Sequence, residues 1–172
     1  MLVYKDLLTG DELFSDSFPI KLIDNVYYEV EGKIVAEGSG GIDDSLIGGN
    51  KSAEEPSAEE YNSDTTYGCN IVFNHRLQEV PGMTKKDYGA LIKGYVKKVH
   101  QHLIDNGKED EAEVFKKGIP GVIKKIKEMW DDLILYTGES GGDDAMYCFM
   151  NYRESGDPYM IFFKHGLVEE KF

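Results

Sequence analysis

The sequence has only two cysteines among its 172 residues, and they do not form a C-x-x-C pair. The zinc knuckles and dithiol redox sites that depend on that spacing are therefore excluded. Cys69 and Cys148 each stand in an apolar run, CNIVF and MYCFM, where a free cysteine is expected to act as a small buried hydrophobe. A thiol enzyme using either residue is the weaker alternative, because it would need a nearby histidine and an orienting carboxylate.

Long hydrophobic runs and positive charge are scarce too. No stretch approaches the roughly 20 apolar residues that a membrane-spanning helix requires, and the opening MLVYKDLL places Lys5 and Asp6 where a signal peptide would be apolar. The 19 Lys and Arg stand against 32 Asp and Glu, a formal net charge of −13. Direct nucleic-acid binding is not expected, because phosphate contacts depend on clustered basic side chains. We expect a cytoplasmic protein with one domain over residues 1–172.

Recognisable catalytic motifs are absent as well. Neither G-x-S-x-G nor H-E-x-x-H occurs in the sequence. The stretch IGGNKSAEEP at 47–56 has the composition of a phosphate-binding loop, but Asn50 separates Gly49 from Lys51. A phosphate loop needs Gly-Lys-Ser/Thr in direct succession, and the carboxylates that follow would repel a nucleotide. The nucleotide-loop interpretation is rejected, and no enzyme activity is predicted.

Strand patterns dominate the N-terminal part of the chain. A short apolar strand opens it and breaks at the turn-forming Thr9-Gly10-Asp11. The run VYYEVEGKIVAE has β-rich segments on both sides of Glu31-Gly32, which predicts a hairpin. The run CNIVFNHRLQEV predicts a further strand. Core strands are therefore expected over 1–36 and 69–80.

The composition changes abruptly between these two groups of strands. Residues 37–68 carry eight acidic residues and a single lysine, with many Gly and Ser. Such a segment buries too little apolar surface to offset its ordering entropy, so a mobile acidic loop is predicted. Carboxylates among glycines in GIDDSLIGGN and GESGGDD are compatible with weak calcium binding, with Asp43, Asp44 and Asn50 as candidate ligands. No tightly bound cofactor is expected.

The clearest helical signal lies at residues 84–130. Thr84 is placed to cap a helix that stops at Asn106-Gly107. A second helix is predicted from about Glu109 to Trp130, with a kink at Pro120. The short connection between them predicts an antiparallel helical hairpin. The predicted apolar stripes consist of Tyr88, Leu91, Ile92, Tyr95, Val99 and Leu103, and of Phe115, Ile119, Val122, Ile123, Ile126 and Trp130.

Positive charge is concentrated in this predicted hairpin. It holds eleven lysines and seven acidic residues, a formal +4 (11 − 7) within a chain at −13. Exposed lysines usually form only a solvated helix face, but this clustering favours a partner with an acidic surface. An anionic membrane surface is the alternative partner.

Strand patterns return over residues 133–172, as LILYTG, AMYCFMNYR, PYMIFFK and GLVEEKF. The order of the elements lacks the regular alternation of a doubly wound sheet. The predicted fold class is α+β, a largely antiparallel sheet system with one inserted helical hairpin.

Several of these stretches together resemble the translationally controlled tumour protein family over the whole chain. IDDSLIGGNKSAEE is similar to the family's first signature, with Lys51 where the family often has proline. LILYTGES, NYRESGDPYMIFFKHGL and the terminal EEKF resemble the second signature. The opening YKDLLTGDELFSDSF and the NHRL at 74–77 match as well.

The resemblance implies a β-tent-like core with a protruding helical hairpin, and an interaction protein. Relatives of that core hold zinc with paired C-x-x-C motifs, which this chain lacks, so zinc-dependent reductase activity is not expected. The family is described as binding calcium and microtubules, and as contacting Rheb-type small GTPases and a translation elongation factor. It is also linked to growth control, survival and stress responses.

The resemblance also implies roles for particular residues. Glu12, in TGDELFSD, matches the family segment implicated in GTPase contact, and Glu139 lies in the second signature. Ser45 resembles the family's site for a polo-like kinase. The alternative function is a regulator that accelerates nucleotide exchange on the GTPase, with the Glu12 carboxylate competing for the phosphate-loop lysine or the magnesium ligands.

The microtubule contact is expected on the predicted helical hairpin. Tubulin carries acidic tails, and the hairpin is the one basic region of the chain. Lys93, Lys97 and Lys98 are the predicted tubulin-binding residues, and the contact is expected to weaken with salt.

Overall fold

The computed structural model describes residues 1–37 and 66–172, and within them the fold is mixed α+β with antiparallel sheets. A three-stranded sheet has the order β11-β1-β2, and a six-stranded sheet has the order β3-β4-β10-β9-β8-β7. A separate two-stranded ribbon joins β5 and β6. The strands are β1 (Leu2–Asp6), β2 (Glu12–Ser15), β3 (Ile20–Ile23), β4 (Tyr27–Glu31), β5 (Ile34–Glu37), β6 (Thr66–Cys69), β7 (Gln78–Glu79), β8 (Ile134–Thr137), β9 (Cys148–Tyr152), β10 (Pro158–Phe163) and β11 (Leu167–Lys171).

The turn predicted after the first strand is present, and a buried carboxylate holds it. Asp6 Oδ1 accepts hydrogen bonds from the backbone N–H groups of Leu8 and Thr9, at 2.9 and 3.3 Å. Its Oδ2 accepts from the N–H of Met146 at 2.8 Å. Burial raises the pKa of the Asp6 carboxyl, and these hydrogen bonds oppose the rise. One side chain thus fixes the β1–β2 turn and ties it to the segment that precedes β9.

The hairpin predicted around Glu31-Gly32 is wrong. Strand β4 lies between β3 and β10, so both of its edges are already paired when the chain leaves it. Strand β5 pairs instead with β6, with Glu37 opposite Thr66. Residues 37 and 66–68, predicted as part of the acidic loop, are therefore strand residues. The remainder of that loop, 38–65, lies outside the described residues.

The strand predicted at CNIVFNHRLQEV is also wrong in part. Its centre forms the short helix α1 (Asn70–His75), between β6 and β7. Arg76 ends the helix with φ of 55°, in the left-handed region. The β-branched residues of this stretch favour a strand locally, but tertiary context overrides that preference, and Ile71 of the helix is completely buried in the core.

The helical hairpin is confirmed as α2 (Lys85–Asp105) and α3 (Glu109–Glu128). Thr84 caps α2, since its hydroxyl oxygen accepts a hydrogen bond from the Asp87 N–H at 3.0 Å. A 3₁₀ turn at Trp130–Asp132 follows α3, which ends two residues earlier than predicted. Helix α3 contains Pro120, and the kink expected there stays a prediction. The buried residues of the two helices are Tyr88, Ile92, Tyr95, Val99 and Leu103, and Ala112, Phe115, Ile119, Val122 and Ile126.

The hairpin and the sheets share one hydrophobic core. Two glycines allow the closest approaches, because a Cβ at Gly118 of α3 would clash with Val26, and a Cβ at Gly166 would clash with Tyr95 of α2. No helix among residues 1–37 and 66–172 is both long and apolar enough to span a bilayer.

Candidate functional site

Three segments that are distant in sequence meet at one edge of the protein. The β1–β2 turn supplies Asp11 and Glu12, the loop after β8 supplies Glu139, and the end of α1 contacts both. We call Asp11, Glu12 and Glu139 the carboxylate edge. The structure therefore brings together the two residues, Glu12 and Glu139, that the sequence predicts for GTPase contact.

A hydrogen-bonded pair fixes the geometry of the carboxylate edge. The Ser140 N–H donates to Asp11 Oδ2 at 2.9 Å, and the Ser140 hydroxyl donates to Asp11 Oδ1 at 2.7 Å. Gly138 makes this approach possible, since a Cβ there would lie 2.6 Å from the Asp11 Cβ. The neighbours of this pair, Glu12 and Glu139, are thereby held on the same edge.

Glu12 lies beside His75, whose side chain is only 9% exposed. Its Oε1 is 3.7 Å from His75 Nδ1, which is longer than a hydrogen bond, so the contact is electrostatic. Within the described part of the chain, His75 Nδ1 has no hydrogen-bond partner. Burial lowers the pKa of His75, while the Glu12 carboxylate opposes that shift. The lowered pKa favours the uncharged form of His75 near neutral pH, so His75 does not form a full ion pair with the exposed Glu12 side chain.

Glu139 faces Arg76, the residue that directly follows His75. The Arg76 Nε and Glu139 Oε1 atoms are 4.0 Å apart, and the side chains are 70% and 62% exposed. Exposed ion pairs of this kind contribute roughly 0–1 kcal/mol, so a partner can displace the contact at little cost. The carboxylate edge thus presents two accessible carboxylates with one guanidinium beside them.

Sequence reasoning missed four contributors to this edge: Asp11, His75, Arg76 and Ser140. Asp11 stands next to Glu12 in a turn signal and gives no sign of a partner more than a hundred residues away. His75 and Arg76 belong to a stretch predicted as a strand, so their positions at the end of a helix were not expected. Only the NHRL match at 74–77 pointed to them.

A second charged surface lies on the helical hairpin. A groove of about 880 Å³ runs between α2 and α3, with an apolar floor and lysines along both sides. We call it the hairpin groove. We call its apolar lining the floor and its charged lining the rims: the floor is Gly89, Ile92, Val96, Ile119, Pro120 and Ile123, and the rims are Lys85, Lys93, Lys97, Lys124, Lys127 and Glu128.

The structure separates the three lysines predicted to bind tubulin. Lys93 and Lys97 line the hairpin groove. Lys98 lies outside it and forms an ion pair with Asp144. The difference follows from the helical period, because positions 93 and 97 are one turn apart and position 98 points about 100° away from position 97.

The remaining sequence predictions have different outcomes. Asp43, Asp44, Ser45 and Asn50 lie outside the described residues. Among residues 1–37 and 66–172, no group of three or more His, Cys, Asp or Glu side chains is arranged to hold a metal ion.

Both cysteines are buried, as predicted. Cys69 is 2% exposed and Cys148 is fully buried. Burial raises the pKa of both thiols, which disfavours the reactive thiolate near neutral pH. The geometry therefore gives no support to a thiol enzyme.

Comparison with known proteins gives one consistent result. Residues 1–168 match the model of the translationally controlled tumour protein family. The chain is 46% identical to the translationally-controlled tumor protein homolog of Branchiostoma belcheri, with all of both chains covered. It is 44% identical to the Xenopus laevis homolog, with 99% of each chain covered. The solved structure of the translationally controlled tumor-associated protein p23fyp from Schizosaccharomyces pombe superposes with a TM-score of 0.79 at 43% identity, and all of both chains is covered.

Proposed function

The chain belongs to the translationally controlled tumour protein family, and we propose that it is a non-enzymatic cytoplasmic interaction protein whose carboxylate edge contacts a small GTPase. One observation carries the proposal: Glu12 and Glu139, far apart in sequence, lie beside the consecutive residues His75 and Arg76. A single partner can therefore contact both carboxylates at once.

The chemistry of the edge fits binding better than catalysis. Both carboxylates are more than half exposed, and their contacts with His75 and Arg76 are 3.7 and 4.0 Å long. They can accept hydrogen bonds from basic groups of a partner without first losing strong internal ones. Hydrogen bonds to charged groups contribute about 1.5–3 kcal/mol each, so losing one carboxylate should be measurable.

The test is calorimetric titration of a Rheb-type GTPase with the wild-type protein and with Glu12→Val, Glu12→Gln and Glu139→Gln. We expect each variant to bind about 10-fold or more weakly, as the loss of a charged hydrogen bond requires. Glu154→Gln is the matched control, because Glu154 is an exposed carboxylate on another loop. Unchanged affinity in the Glu12 variants, with native circular dichroism, would end the proposal.

The alternative role is acceleration of nucleotide exchange through Glu12. It differs from simple binding in its dependence on concentration. Release of a fluorescent nucleotide that accelerates at substoichiometric protein, with loss of the effect in Glu12→Val, supports exchange activity. Acceleration only at equimolar protein supports binding alone.

We also propose that the basic hairpin contacts the acidic tails of tubulin. Lys93 and Lys97 are exposed and line the hairpin groove, whereas Lys98 lies outside the groove, in an exposed ion pair with Asp144. Lys93→Glu/Lys97→Glu should therefore abolish co-sedimentation with microtubules, while Lys98→Glu should reduce it much less. Binding should weaken steeply as salt is added. Equal losses in both variants, or binding that ignores salt, would contradict the groove as the contact.

Further proposals rest on the family resemblance. They are binding of a translation elongation factor, weak calcium binding through Asp43, Asp44 and Asn50, phosphorylation of Ser45, and a role in growth, survival and stress responses. Calcium titration of Asp43→Asn/Asp44→Asn beside the wild type tests the ligand set. Phosphopeptide mapping after incubation with a polo-like kinase tests Ser45.

A further inference from the structure

The hairpin groove has an apolar floor, which a purely electrostatic contact would not use. Its floor is apolar and its two rims carry lysines, so it offers a hydrophobic slot between rows of positive charge. We propose that this groove docks an acidic amphipathic helix of a partner protein. The proposal does not depend on tubulin being that partner.

The floor of the groove is open enough to receive side chains. Val96 and Ile123 are only half-buried, although the hairpin's other apolar face is packed into the core. Gly89 lies in the interior of α2, where glycine costs about 1 kcal/mol relative to alanine. A Cβ at Gly89 would lie 3.2 Å from Lys127 Nζ, because the Lys127 side chain reaches across from α3 to α2 at this end of the groove. A docked helix would displace the end of this flexible side chain.

The dimensions of the groove fit about three turns of helix. The α2 side runs from Lys85 to Lys97, and the α3 side from Ile119 to Glu128. At 1.5 Å per residue these stretches are about 18 and 14 Å long. A helix of roughly 10–12 residues, with apolar side chains at i, i+3/i+4 and i+7, would cover the floor.

The charge of the groove selects an acidic occupant. Its rims carry Lys85, Lys93, Lys97, Lys124 and Lys127 against the single carboxylate Glu128. Within residues 1–37 and 66–172 none of these five lysines forms an ion pair, whereas Lys98 and Lys117 do. Carboxylates on the polar face of a docked helix would meet lysines on both sides.

The shape of the groove favours a protein helix over a bilayer. A membrane-binding helix presents apolar side chains that protrude into the headgroup region. Here the apolar side chains line a groove between two helices, and lysines of both helices belong to the same lining. A docked helix would contact those apolar side chains from within the groove, whereas a flat lipid surface would not enter it.

The test uses three labelled probes and the full chain, with binding followed by fluorescence anisotropy. The first probe is a 14-residue peptide with Leu on one helical stripe and Glu elsewhere. The second has the same composition in scrambled order, so that it keeps the charge and loses the stripe. The third is a phosphatidylserine vesicle.

Two variants address the rims and the floor separately. Lys93→Glu/Lys124→Glu reverses one charge on each rim, and Ile123→Gln makes the floor polar. The matched control is Lys86→Glu/Lys116→Glu, which makes the same charge change at exposed positions of the same two helices outside the groove. Circular dichroism and thermal unfolding check that every variant is folded.

We expect the striped peptide to bind at least 10-fold more tightly than the scrambled one. The rim variant and the floor variant should each lose at least 10-fold in affinity for the striped peptide, and the control less than threefold. Equal binding of the two peptides would overturn the proposal, as would equal losses in the rim variant and the control. Vesicle binding that needs the same residues and exceeds peptide binding would overturn it in favour of a lipid surface.

Discussion

The carboxylate edge and the hairpin groove carry charge of opposite sign, and different kinds of structural element position that charge. At the edge, short turns from three parts of the chain converge, and the hydrogen bonds from Ser140 to Asp11 fix them at 2.7 and 2.9 Å. At the groove, two long helices carry lysines that form no ion pairs within the described residues. The comparison shows two ways to present charge at a surface. The edge holds its turns in place through side-chain hydrogen bonds, and the groove displays these lysines on regular helices.

The edge and the helical hairpin also differ in how a carboxylate contacts a histidine. At the edge, Glu12 lies 3.7 Å from His75. Near the α2–α3 turn, Glu111 meets the buried His165, with His165 Nε2 2.8 Å from Glu111 Oε1. The first contact is longer than a hydrogen bond and the second is a hydrogen bond. We therefore expect variants of Glu111 or His165 to affect stability, and variants of Glu12 or Glu139 to affect binding.

The largest expected effect comes from pushing the hairpin away from the core. Gly118→Ala should destabilise the protein by about 1–3 kcal/mol, because the new Cβ clashes with the buried Val26. Gly121→Ala is the matched control in the same helix, since its Cβ would meet nothing within 4 Å. That control should stabilise by up to about 1 kcal/mol through helix propensity. Thermal and urea unfolding distinguish the two, and equal effects would mean that α3 is not closely docked.

A smaller effect is expected from loosening the edge. Asp11→Ala should cost about 1 kcal/mol or somewhat more, because it removes both hydrogen bonds from Ser140. Glu139→Gln should cost almost nothing, since its 4.0 Å contact with Arg76 is exposed on both sides. Urea unfolding measures both variants. A large loss of unfolding free energy in Glu139→Gln would contradict the view that Asp11 stabilises the edge while Glu139 is free to contact a partner.

The smallest expected effect is a change in the pH dependence of stability. Burial lowers the pKa of both His75 and His165 below the ordinary value of 6.5. The unfolded chain therefore binds more protons just below pH 6.5, and these histidines make stability fall as the pH drops through that value. His165→Gln keeps a donor for Glu111 but cannot be protonated, so its stability should fall less between pH 6.5 and 5.

A second variant for this measurement is His75→Gln, because burial lowers the pKa of His75 as well. Its stability should likewise fall less than that of the wild type between pH 6.5 and 5. A His165→Gln profile that runs parallel to the wild type would show that His165 is not held in its neutral form by burial.

Local sequence signals were sufficient for the helical hairpin and most of the strands. Thr84 and Asn106-Gly107 mark the ends of α2, and the apolar residues between them recur at helical spacing. Those signals lie within one element, so neither capping nor periodicity needs information from elsewhere in the chain. The same holds for β8 to β10, which are largely apolar runs bounded by turn residues.

The errors arose where distant contacts override local preference. Strands β5 and β6 pair although the 28 residues from 38 to 65 separate them in sequence. Local sequence patterns do not predict a partner at that distance. Helix α1 forms from residues with strand preference, in a segment whose Ile71 is packed into the core formed with distant parts of the chain. The sequence identifies Glu12 and Glu139 as charged turn residues. It does not predict that they lie close together, because that depends on the contact between Asp11 and Ser140, which are 129 positions apart.

The shared core makes the hairpin part of one cooperative unit. Tyr95 of α2 packs against Gly166 and Phe163, and Phe115 of α3 lies against His165. Because the helices cannot leave the sheets without exposing these residues, backbone amides on their buried faces should exchange with deuterium only through global unfolding. A ligand that binds the native hairpin should therefore slow exchange in β10 as well, by mass action on the whole fold.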